Sequence, residues 1–129
     1  MKLTYSFALV TCFVLAASSP VAATNVLQNT SAVVGSLGGL DLQRCDNFDI
    51  SETKIIKQPD HGRIDFEKRT VTALFGRCHG KQLPVVQVIY TPRPGFIGTD
   101  DFSFEAKYSN FLAYRGRPVR KFYKVINVH

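Results

Sequence analysis

The chain has 129 residues, 45% apolar, 12% aromatic and 20% charged, which suits one globular domain and excludes wholesale disorder or a collagen-like fibre. Sixteen Lys and Arg against ten Asp and Glu give a net charge of +6, so an anionic partner fits better than a cationic one.

Met1 and Lys2 form a short basic start, Phe7 to Ala17 is an apolar run, and Ser18-Ser19-Pro20-Val21-Ala22-Ala23 supplies small residues. This pattern predicts a secretory signal over residues 1–23, cut after Ala23. The expected location is therefore periplasmic, secreted or at the cell surface. The apolar run is shorter than the ~20 residues a spanning helix needs, and no second run follows, so no transmembrane segment is expected after cleavage.

Residues 24–40 are rich in Gly, Ser and Asn and read as a flexible lead-in or an edge segment. Their glycines lack the Lys-Ser/Thr of a phosphate loop. Asn29-Thr30-Ser31 matches a glycosylation acceptor.

Residues 41–129 form the predicted domain. No stretch there sustains a 3.6-residue apolar period, whereas period-two patterns recur. Ile64 and Phe66 alternate with charged residues, and Val71, Ala73 and Phe75 alternate less cleanly. Val85 to Tyr90 is apolar on both faces apart from Gln87, as a central strand would be. Phe102, Phe104, Ala106 and Tyr108 alternate with Ser103, Glu105 and Lys107, and Val119 to Val128 reads as a final strand. Turn signals separate these runs. The expected fold is all-β, a sandwich of about seven antiparallel strands.

Cys12 leaves with the signal, so Cys45 and Cys78 remain, and an even pair in an exported chain predicts a disulfide. Closing a loop of this length stabilises by about 3 to 4 kcal/mol on the chain-entropy estimate. The competing reading, a thiol activated by His79, requires two neighbours that an extended chain points to opposite faces. The histidines and cysteines have no zinc-ligand spacing.

The stretch Tyr90-Thr91-Pro92-Arg93-Pro94-Gly95-Phe96-Ile97-Gly98-Thr99-Asp100-Asp101-Phe102-Ser103-Phe104 resembles one common to bacterial immunoglobulin-like and cadherin-like repeat domains. Those families show Tyr-Thr-Pro ending a strand, a Pro-Gly-Phe turn, then Gly-x-Asp-x-Phe-x-aromatic. Pro59-Asp60-His61-Gly62 followed by Ile64 is similar to the family's Pro-x-His-Gly hairpin. The resemblance implies an immunoglobulin-like sandwich, here as a single exported copy.

Physically, the motif reads as architecture. Pro92 and Pro94 end a strand, Gly95 and Gly98 allow backbone angles a Cβ would oppose, and Phe96 plugs the end of the sandwich. Tyr90 and Phe102 belong to the core side, and Asp100 is placed to accept turn N–H bonds. Asp100 and Asp101 are also candidate calcium ligands, although two adjacent acids fall short of the six to eight oxygens calcium takes. No cofactor is expected.

From Ala106 onward the chain carries Lys107, Arg115, Arg117, Arg120, Lys121 and Lys124, with aromatic residues interleaved and no acid from Lys107 to the end. This basic third is a candidate anion-binding face, its alternative being ordinary solvated surface. The expected partner is a protein or an anionic envelope polymer such as a glycan, lipopolysaccharide or cell-wall chain, and nucleic acid is not expected. No catalytic motif occurs. The sequence thus points to an exported, non-enzymatic binding module or accessory subunit at the cell envelope. A structural protein assembling by β-edge pairing is the alternative, and an enzyme with a loop-borne site comes third.

Overall fold

The computed structural model describes residues 22–109 and 118–129, which contain nine strands and no helix. Most of the expected signal segment, with Cys12, lies outside the described residues. The strands are β1 (Thr24–Val26), β2 (Ala32–Leu37), β3 (Gly39–Asp41), β4 (Asp46–Phe48), β5 (Ile50–Lys57), β6 (Gly62–Thr72), β7 (Gln82–Pro92), β8 (Gly98–Tyr108) and β9 (Val119–Val128).

One sheet has the order β1-β9-β8-β5, a second β2-β7-β6, and β3 and β4 form a separate hairpin. Buried residues from the two larger sheets belong to a single apolar cluster, so the sheets face each other as a sandwich. The expected all-β class and the expected disulfide are both present.

Period-two patterning explains which strands face the core. On β8, Asp100, Phe102, Phe104, Ala106 and Tyr108 are buried, while Asp101, Ser103, Glu105 and Lys107 are not. Across the sandwich, Val86, Val88 and Tyr90 of β7 and Ile64 of β6 meet them. Phe66 meets Phe104 edge-on at 5.4 Å, and the Tyr90 and Phe102 rings lie parallel at 6.4 Å. Both contacts cross between sheets.

The structure adds details that periodicity did not supply. Residues 24–40 hold β1 and β2, each at a sheet edge, with Val26, Val34 and Leu37 buried. β1 runs parallel to β9, so pairing is not antiparallel throughout. The patterns at Ile64 and Val71 are parts of one strand, β6, whereas Ala73 and Phe75 lie in the loop beyond it. From Lys68 to Thr72 both faces of β6 are exposed, so no buried face enforces the alternation there. Pro59–Gly62 links β5 of one sheet to β6 of the other. It is an arch between layers, where the resemblance led us to expect a hairpin.

Cys45 and Cys78 are bridged, with Cα atoms 5.5 Å apart. Cys45 closes the turn between β3 and β4, and Cys78 lies in the loop between β6 and β7. The bridge therefore ties a small hairpin to the end of a long one, and the thiol-nucleophile reading of Cys78 falls with it.

Candidate functional site

At the opposite end of β6 and β7, the Pro-Gly corner is a four-residue turn in which Phe96 N–H donates to Arg93 O at 3.0 Å. Pro94 and Gly95 occupy its centre, and Gly95 has a φ of 78°, the pairing a type II turn requires. Arg93 N–H donates to His61 O at 2.7 Å, which joins the corner to the arch. The His61 and Phe96 rings stack at 4.3 Å, covering this end of the core. Gly62 tolerates no side chain, because a Cβ there would lie 2.5 Å from Thr91 O.

Asp100 organises this end from beneath. It is 3% exposed. Its Oδ1 accepts the N–H of Asp60 and of Asp101, both at 3.0 Å. Its Oδ2 accepts the N–H of His61 at 3.0 Å and the hydroxyl of Tyr90 at 2.7 Å. One carboxylate thus ties β7, β8 and the arch, satisfying donors that would otherwise be buried unpaired. Its turn amides come from the arch, at Asp60 and His61, whereas the Pro-Gly corner's own Arg93 and Phe96 amides donate to backbone carbonyls.

Burial, together with the bond to Asp100, raises the Tyr90 hydroxyl pKa well above the usual tyrosine range. A group whose folded pKa is raised contributes stability below its unfolded pKa, about 10, and that contribution is lost as pH rises through the folded value. The wild-type protein should lose more unfolding free energy between neutral pH and strongly alkaline pH than Tyr90→Phe does. Equal losses in paired urea titrations would show that Tyr90 contributes nothing to the alkaline limb.

Asp101 points the other way along β8, consistent with strand alternation. It pairs with Lys57 and accepts the Tyr123 hydroxyl at 3.2 Å. The Lys57 bond holds its carboxyl below the usual range. Because Asp100 and Asp101 face opposite sides of one strand and each already has partners, they do not converge on a common ion. Among the described residues no group of three potential metal ligands occurs.

Between the arch, the corner and the β1–β2 loop lies a cleft of about 440 Å³, walled by Asn29, Ser31, Arg63, Thr91 and Arg93, with Gly62, Pro92 and Pro94 completing the lining. Two arginines line it and no carboxylate does. Arg63 Nε donates to Asp65 at 3.2 Å, and Arg93 donates through one Nη to Asp60 O at 2.7 Å. Each guanidinium has further donors, since arginine carries five N–H groups. Asn29, in the left-handed region at φ 57°, accepts Gly95 N–H at 2.8 Å through Oδ1. Ser31 and Thr91 share a hydroxyl–hydroxyl bond of 2.7 Å.

Of the basic third, the described residues lie on both faces of the β9-β8-β5 layer. Arg115 and Arg117 lie outside the described residues. Lys107 and Lys121 lie on the outer face of the β9-β8-β5 layer, where Lys121 meets Glu105 at 3.7 Å. Arg120 and Lys124 alternate to the opposite side of β9, and the Lys124 side chain runs close to Gly35 of β2. Adjacency in sequence becomes separation across a strand.

The cleft arginines escaped the sequence reading because Arg63 and Arg93 are far apart in the chain. Only the pairing of Gly62 with Pro92 brings their neighbourhoods together. The usable signal was the pair of family-like turns, each of which carries one of these arginines beside it. Compared with family models, curated proteins and solved structures, the chain finds no match in any of the three.

Proposed function

We propose that this protein is an exported, non-enzymatic binding module or accessory subunit of the cell envelope, and that the cleft holds an acidic group of an envelope glycan or cell-wall polymer. The observation that carries this reading is the lining itself, two arginines with spare donors and no carboxylate at the loop end of a rigid sandwich. Bidentate guanidinium donors suit carboxylate and phosphate groups. The resemblance to immunoglobulin-like and cadherin-like surface repeats, together with the signal-like start, supports the envelope location.

A uronic-acid oligosaccharide titrated calorimetrically into the protein tests this. Binding should weaken as salt rises, and Arg63→Glu should cost at least about tenfold in affinity. Arg63 suits the test because its contact to Asp65 is exposed and structurally dispensable. Unchanged affinity in Arg63→Glu, or no binding by the wild-type protein, would sink the reading.

Assembly by β-edge pairing draws on β6, whose eleven residues pair with β7 alone. That edge carries Arg63, Asp65, Glu67, Lys68 and Arg69, the charges by which edge strands resist pairing. For an enzyme, the cleft offers the hydroxyls of Ser31 and Thr91, which bond each other, with no base bonded to either among the described residues. Binding therefore ranks first.

A further inference from the structure

The far end of the β6–β7 hairpin has a different character from the cleft, about 35 Å away along the strands. Two turns meet there, Leu42–Cys45 and Ala73–Lys81, joined by the Cys45–Cys78 bridge. The second is compact, with Gly80 N–H donating to Ala73 O at 2.8 Å and Ala73 N–H donating to Lys81 O at 2.9 Å. Leu42 is 67% exposed, Leu74 66% and Phe75 86%. Three large apolar side chains left exposed on two turns held together by one bridge mark a candidate contact surface.

The same two turns carry Arg44, Arg77 and Lys81, all exposed and none paired with a carboxylate among the described residues. Two acids lie beside them, Asp41, which also accepts the N–H groups of Gln43 and Arg44, and the exposed Asp46, so the three cations leave a net positive charge on this end. Exposed apolar side chains and cations on the same two joined turns match a surface that is anionic at its face and apolar beneath it.

We propose that this bridged tip docks on an anionic lipid bilayer, with Leu74, Phe75 and Leu42 entering the headgroup boundary and Arg44, Arg77 and Lys81 facing the lipid phosphates. The joining of exposed apolar side chains with an excess of cations favours an anionic bilayer as the occupant. The cross-link keeps both turns in place, so little ordering is lost on insertion. The inference does not rest on the cleft, although docking by this end would point the cleft away from the membrane.

The chain contains no tryptophan, so Phe75→Trp makes a single clean reporter. Added phosphatidylglycerol vesicles should shift its emission to the blue, and a nitroxide on the lipid should quench it, whereas phosphatidylcholine vesicles should do far less. In co-sedimentation, Leu74→Ser with Phe75→Ser should weaken binding at least about a hundredfold. Arg44→Gln with Arg77→Gln should weaken it about thirtyfold. Indole emission that stays unshifted in the Phe75→Trp variant overturns the proposal. So does vesicle binding that survives both double variants, as attachment through the apolar run at residues 7–17 would give. Concentration-dependent self-association abolished by Phe75→Ser, without vesicle binding, overturns it as well.

Discussion

Asp100→Ala is expected to destabilise the folded protein by about 3 to 5 kcal/mol, measured by urea unfolding at neutral pH. The carboxylate accepts four hydrogen bonds, from Asp60, His61, Tyr90 and Asp101. Truncation leaves the fully buried Tyr90 hydroxyl and the part-buried arch amides without an acceptor. A domain of this size has about 5 to 15 kcal/mol in total, so the variant should sit near the edge of folding. Asp100→Asn should cost less, about 1 to 3 kcal/mol, for a geometric reason. Its amide nitrogen can donate to the Tyr90 oxygen once that hydroxyl rotates, but it cannot accept the His61 N–H. Tyr90→Phe removes donor and hydroxyl together and should cost least of the three. An Asp100→Ala variant within about 1 kcal/mol of wild type would show that the arch is held by other contacts.

Removing the cross-link, by Cys45→Ser with Cys78→Ser, should lower stability by about 3 to 4 kcal/mol through the greater freedom of the unfolded chain. The bridge spans 33 positions of sequence, enough for closure to be costly once it is lost. The local consequence should exceed the global one. β3 and β4 pair over only three residues each, and beyond the bridge they meet the sandwich through β3 beside β7 and through Phe48 against the core. Hydrogen exchange in the bridgeless variant should therefore open Gly39–Phe48 well before the amides of β7 and β8. Uniform loss of protection along the chain would instead place the hairpin within the cooperative core. Loss of the bridge also gives an independent view of the lipid-facing tip, because its two turns would no longer be held together.

The chain order of alternating apolar residues made the sandwich legible. On β8 and β7 every second residue must be apolar to bury one face, and Phe102, Phe104, Ala106, Val86 and Val88 obey that rule. The Cys pair was legible because the two cysteines beyond the signal-like start have one intramolecular pairing. Asp100 was legible through its place beside a Pro-Gly corner. Which face each basic residue of the last third takes was not legible in one dimension, because neighbours on a strand such as Arg120 and Lys121 alternate sides.

Local chemistry therefore dictated the strands, the corner and the cross-link, since each depends on residues a few positions apart or on a single available partner. Long-range registry governed the remainder. That Gly62 lies opposite Pro92, that β1 runs beside β9, and that Leu42 and Phe75 share one end of the molecule follow from how the layers pair and stack. Such pairings are chosen by the free energy of the whole core, and no segment carries them alone.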